Sequence, residues 1–212
     1  SQTNFIVNEN QTAIGTVNAD DLQGITFSIL SNSITIDPST GELTFVTAPD
    51  FENLINPTIT TTVTAIDESS NSSQLSISIT IVDVNESPSI TSDNNFSVEE
   101  GTNTVGTVTT IDPENDSLTF SLAERRVTKF TIDQNGVLSF IATPDFEQPG
   151  DNDGSNTYFQ TVIISDGEFE VTQDITIQVT NIDDNKPVFS SNLSFSVAEN
   201  ETAVGQLTAT DA

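Results

Sequence analysis

Apolar and polar residues alternate one for one along most of this chain. Ile25, Phe27 and Ile29 are separated by polar residues. The same holds for Ile59, Thr61, Val63 and Ala65, and most cleanly for Leu75, Ile77, Ile79 and Ile81. Further along come Leu118, Phe120 and Leu122, then Val162 and Ile164, then Ile175, Ile177 and Val179. A period of two predicts strands with one buried face. No apolar stripe of helical period stands out. Asp37-Pro38-Ser39-Thr40-Gly41 and Asp133-Gln134-Asn135-Gly136 interrupt the alternation and predict hairpin turns, with Gly where φ is positive.

The pattern repeats. Phe5-Ile6-Val7-Asn8-Glu9-Asn10 lines up with Phe96-Ser97-Val98-Glu99-Glu100-Gly101 and with Phe195-Ser196-Val197-Ala198-Glu199-Asn200. Each Glu is followed six residues later by Gly15, Gly106 or Gly205, and each Gly six later by Asp21, Asp112 or Asp211. The repeat divides the chain into residues 1–88, 89–187 and 188–212, the last being the opening of a third copy. Seven or so short strands in 90 to 100 residues predict an all-β chain of tandem immunoglobulin-like, Greek-key β-sandwiches. The tail carries one or two strands and is expected to be frayed or docked.

Composition narrows the chemistry. The 212 residues hold 32 acids, 4 basic residues and no His, a net charge of −28. Such a field repels nucleic acid and anionic membranes. Without Cys, neither disulfides nor thiolate metal sites are available. No apolar run reaches transmembrane length. No leader-like segment is visible at Ser1; the chain reads as a piece of something longer, so that absence carries little weight. Triplets such as Asn10-Gln11-Thr12 are expected by chance at this Asn, Ser and Thr content.

The acids recur in repeat order. Pro49-Asp50-Phe51-Glu52 returns as Pro144-Asp145-Phe146-Glu147, and an acid closes a strand at Asp67 and Asp166. Asp112-Pro113-Glu114-Asn115-Asp116 packs three acids into one turn. In an extended stretch, Asp50 and Glu52 would point the same way with Phe51 turned to the core. Two oxygen-rich joints end in proline: Asp83-Val84-Asn85-Glu86-Ser87-Pro88 and Asn181-Ile182-Asp183-Asp184-Asn185-Lys186-Pro187. Unpaired, so many carboxylates repel one another. Calcium, which takes about six to eight oxygen ligands, would relieve that repulsion.

These motifs resemble tandem cadherin repeats over nearly the whole chain. The family's linker is Asp-x-Asn-Asp-Asn-x-Pro, accompanied by a Glu near the first strand, an Asp-x-Glu, an Asp-x-Asp in the next domain and a late Asp. The resemblance implies calcium at the joint after the first repeat, held by Glu9, Asp50, Glu52, Asp83, the Val84 carbonyl, Asn85 and Glu86, with Asp112, Glu114 and Asp166 from the second repeat. It implies a second joint using Glu100, Asp145, Glu147, Asn181, Asp183, Asp184 and Asn185, with Asp211 from the third repeat.

There are departures from the family pattern. The first linker is one residue short and has Glu86 for Asp. The second begins with Asn181 for Asp, and Glu114 stands for another Asp. The second joint is therefore expected to hold fewer or weaker ions. Asp21 and Asp67 match ligands for a joint with a preceding repeat and are expected to be solvated.

The resemblance implies a non-catalytic, calcium-stiffened segment of an extracellular or cell-surface adhesin, its parent attached to the cell surface or membrane. Its partners would be calcium and a homophilic, polysaccharide or other cell-surface ligand. The low Lys content and the short first linker suggest a bacterial adhesin. With no Trp, the strand exchange of animal cadherins is not expected. The alternative is a calcium-dependent carbohydrate-binding module, which needs exposed aromatics. Paired carboxylates for glycoside hydrolysis are a third reading, disfavoured because the acids lie at domain ends.

Overall fold

The computed structural model describes residues 2–21, 24–124, 129–191 and 194–211. Two compact units divide the chain, residues 1–86 and 87–212. Each follows from the period-two pattern, because alternate side chains of a strand face one core.

In the first unit, strands β1 (Asn4–Asn8), β3 (Ile25–Ile29), β6 (Thr58–Asp67) and β7 (Ser72–Val82) form one sheet in the order β1-β7-β6-β3. Strand β1 runs parallel to β7, pairing Phe5 with Ile79, and the other pairs are antiparallel. Strands β2 (Ala13–Thr16), β4 (Ile34–Ile36) and β5 (Glu42–Phe45) make the facing sheet in the order β2-β5-β4. Ile77, Ile79 and Ile81 from one sheet meet Ile34, Leu43 and Phe45 from the other in a single core. The chain changes sheets between β3 and β4 and again between β5 and β6, as a Greek-key sandwich requires.

The second unit repeats the plan. Strands β9 (Asn95–Glu99), β12 (Thr119–Leu122), β15 (Thr157–Ser165) and β16 (Glu170–Thr180) take the order β12-β15-β16-β9, with β9 parallel to β16. Strands β10 (Thr104–Thr107), β13 (Phe130–Ile132) and β14 (Val137–Phe140) face them. The short strands β8 (Ser89–Ile90) and β11 (Thr110–Ile111) pair at one edge. Phe130, Phe140 and Tyr158 pack as an aromatic trio, with Tyr158 edge-on to both Phe rings. The tail holds only the paired two-residue strands β17 (Val188–Phe189) and β18 (Ala209–Thr210), and its apolar residues Val188, Phe189, Val197 and Leu207 are exposed.

The sequence-level offsets now have causes. A Cβ at Gly15 would lie 2.8 Å from the Phe5 ring, and one at Gly106 2.8 Å from the Phe96 ring. The repeated Phe therefore needs the repeated Gly beneath it. In the hairpins, Gly41 (φ +73°) and Gly136 (φ +77°) lie so close to the carbonyls of Val17 and Val108 that no side chain fits. Asp37 caps the first turn through its Oδ1, which accepts from Ser39 N at 2.9 Å and Thr40 N at 2.8 Å. Asp133 does the same for Asn135 N and Val137 N. Bonds to the charged form hold both carboxyls below their ordinary value.

Candidate metal centre

The site is built at the end of each unit from three segments that are distant in sequence. The glutamate just past the first strand is buried, with Glu9 and Glu100 each 3% exposed. Its backbone continues the parallel ladder: Glu9 N donates to Val82 O at 3.1 Å and Glu100 N to Thr180 O at 3.0 Å. The next residue ties to the Pro-Asp-Phe-Glu loop, Asn10 N to Pro49 O and Gly101 N to Pro144 O.

The buried carboxylate then straps loop and linker together. Glu9 Oε2 accepts from Phe51 N at 2.5 Å and Oε1 from Val84 N at 2.9 Å. Glu100 repeats this with Phe146 N at 2.7 Å and Ile182 N at 2.8 Å. The bond from Phe146 N, then that from Ile182 N, outweighs desolvation and holds the Glu100 carboxyl below its ordinary value. A carboxylate oxygen that accepts one N–H keeps lone-pair capacity for a second partner.

Around each strap the fold gathers further acids. Oxygens of Glu9, Glu52 and Asp83 all lie within 4.8 Å of one another, as do oxygens of Glu100, Glu147 and Asp184. Two oxygens bound to one calcium at about 2.3–2.6 Å can be separated by no more than about twice that length. Both triads meet that limit with hard, anionic donors, the donor type calcium prefers. Residues such as these would hold the ion from one side.

Other sequence-predicted residues are placed differently. The stretch after Asp50 is not extended: Phe51–Asn53 is a single 3₁₀ turn, which removes the same-side geometry expected of Asp50 and Glu52. Asp50 caps that turn, its Oδ1 accepting from Asn53 N at 3.2 Å and its Oδ2 from Asn53 Nδ2 at 2.8 Å. Asp145 is held the same way by Gln148 N and Nε2. The acid three residues before an amide side chain is the N-cap signal that marks these roles in the sequence.

Asn181 follows β16 as Asp83 follows β7, yet only Asp83 belongs to a carboxylate triad. Asn181 Nδ2 instead donates to Glu147 Oε1 at 3.2 Å, and Asp184 brings the third carboxylate. Asp184 N folds back onto Ile182 O at 2.8 Å. Asp183 and Asn185 are exposed in the linker, and Asp211 is exposed after β18. In the first linker Asn85 and Glu86 are half-buried, and Glu86 accepts a hydrogen bond from Asn10 Nδ2.

At the loop end of the second unit, Asp112 is 7% exposed. Its Oδ1 accepts from Asp116 N at 2.9 Å, while its buried Oδ2 has no hydrogen-bond partner among the described residues. Half-buried Glu114 lies in the same turn. Asp166 Oδ1 accepts from Glu168 N at 2.7 Å and Phe169 N at 2.6 Å. Its counterpart Asp67, expected to be solvated, is half-buried and clamped by Asn71. The Asn71 side-chain amide foremost, then its backbone N–H, lowers the Asp67 carboxyl.

No family model matches the chain. It is 30% identical over 204 residues to mouse cadherin-related family member 2 and 28% identical over 214 residues to human protocadherin Fat 4. Those stretches cover 86% and 92% of this chain but only 16% and 4% of the relatives. Among solved structures, the EC3-6 fragment of protocadherin gammaB7 superposes with a TM-score of 0.58 at 26% identity, covering all of this chain and 55% of that one. The EC22-24 fragment of mouse cadherin-23 gives 0.59 at 23% identity, covering 99% of this chain and 74% of that one. The two-sheet plan, its tandem repetition and these likenesses identify the domains of this chain as cadherin-like.

Proposed function

We propose that this chain is a calcium-stiffened segment of an extracellular adhesion protein, non-catalytic and rod-forming, with ions bound where one repeat meets the next. The observation that carries the reading is the pair of equivalent carboxylate triads, each organised around a buried glutamate that already straps loop to linker. Calcium would offset most of the negative charge of each triad and lock that end of the sandwich to its linker.

Asp50, Val84, Asn85 and Glu86 are assigned to the first joint beside its triad, with Asp112, Glu114 and Asp166 completing it from the next repeat. Asp145, Asn181, Asp183, Asn185 and Asp211 are assigned to the second. Asp50 and Asp145 would have to share or release their amide clamps to reach an ion. The buried, unpartnered Oδ2 of Asp112 supports a cation near that end of the second unit. Within the class, low Lys content and the short first linker favour a bacterial surface adhesin.

Thermal unfolding and small-angle scattering, in EDTA and across a calcium titration, test the proposal. The expected result is a higher Tm and a stiffer particle with calcium, both blunted in Glu52→Gln and Glu147→Gln. No change up to about 10 mM calcium, which covers weak extracellular modules, would reject it.

A further inference from the structure

The first unit has a side-chain contact at its linker that the second cannot make. The residue after the buried glutamate is Asn10 in one and Gly101 in the other. Both take the left-handed conformation, at φ +61° and +75°, which Asn and Gly tolerate. Both are tied by their backbone N–H to the Pro-Asp-Phe-Glu loop. Only Asn10 adds a polar side chain, and its Nδ2 donates to Glu86 Oε1, 76 positions away.

We infer that Asn10 is a positioning residue: its amide holds the Glu86 carboxylate ready for the calcium proposed at this end of the first unit. That role rests on the calcium reading above, and it lies outside the ligand set. Oxygens of Glu52 and Glu86 lie within 4.8 Å of each other. Two anions that close repel, and a glutamate side chain has ample rotamer freedom to swing away. An N–H donated to the carboxylate counters both. The bond to a charged acceptor is among the stronger kinds, and it leaves lone pairs for an ion. The donor is itself anchored. Asn10 N donates to Pro49 O at 2.9 Å, so the amide is fixed to the loop that carries Glu52.

The second unit manages without the device. Its linker carboxylate is the shorter Asp184, already grouped with Glu100 and Glu147, and Asp184 N closes on Ile182 O at 2.8 Å. A Cβ at Gly101 would meet nothing within 4 Å, so a side chain there is not excluded for want of room. The amide therefore goes with the longer acid, whose side chain needs it.

Two-dimensional NMR of the whole chain tests this, in EDTA and through a calcium titration followed at the Val84 amide of the first unit. In EDTA the Asn10 side-chain amide resonance should shift when Glu86 is replaced by Ala. Asn10→Gly keeps the left-handed backbone and removes the amide. It should weaken calcium binding about tenfold, the low end of the usual cost of losing a group that orients a ligand. In a Glu86→Ala background the same exchange should cost roughly twofold or less, because Asn10 acts through Glu86. An unmoved Asn10 resonance, full affinity in Asn10→Gly, or an equal loss in both backgrounds would each overturn the inference and leave the calcium reading standing. No calcium response in the unaltered chain would overturn both.

Discussion

The ends of the two units share one scaffold and differ in one donor. In the first, the residue after the last strand is Asp83, which joins Glu9 and Glu52 directly. In the second it is Asn181, which bonds Glu147 while Asp184 arrives from three residues further on. The straps are alike, so the difference lies in the linker. A neutral amide at the first linker position does not empty the triad. It moves the third carboxylate to a longer, exposed linker whose backbone closes on itself at Ile182.

The largest expected effect tests whether the scaffolds are equivalent. Ile79 and Ile177 are both fully buried at matching places. Ile79→Ala and Ile177→Ala should each cost about 2–5 kcal/mol, read by denaturant unfolding. A large inequality would break the comparison at the level of the core. Next is calcium removal. At a hundredfold excess over Kd the ion adds about 2.7 kcal/mol to the folded form, so chelation should lower Tm. Glu9→Gln and Glu100→Gln should remove the calcium response of their own unit, followed by isothermal titration.

A smaller effect sharpens the linker difference. Asp83→Asn should weaken calcium binding at the first site, and Asn181→Asp should strengthen it at the second, each on the order of tenfold through ligand charge. If the second exchange does nothing in calorimetry, Asp184 already supplies all that the position can.

The smallest effect is acid titration. Backbone bonds from Phe146 and Ile182 lower the folded Glu100 carboxyl below its ordinary value of 4.5. Its stabilising effect is thus complete above that value and is lost as pH falls through the lower, folded one. Glu100→Gln should flatten the stability profile of the second unit below pH 4.5. An unchanged slope would remove Glu100 from the account.

Much of the site was legible because it repeats. The period of Leu75 to Ile81 marked β7 and its buried face, and the offsets from Glu9 to Gly15 and Glu100 to Gly106 marked equivalent folds. The cap of Asp50 on Asn53 is not legible locally, because an Asp-Phe-Glu triplet reads equally well as strand. The choice between an extended stretch and a 3₁₀ turn there is settled by where Phe51 packs and by Glu9 accepting its N–H. The clamp of Asn71 on Asp67 is hidden in the sequence for a similar reason: an acid after a strand has no visible partner until the chain turns back.

By itself, the sequence determined the strands, their buried faces, the tandem repetition and the set of acids available, because these depend on local period and spacing. Only the tertiary structure decided which acids meet. Glu9, Glu52 and Asp83 are separated by tens of residues, and their approach depends on β1 lying parallel to β7 and on a loop crossing the end of the sheet. Likewise, no local rule distinguishes Asp184 from Asp183 as the third donor. That selection follows from how the linker backbone turns after Glu100 has fixed Ile182, a constraint imposed by a residue about eighty positions away.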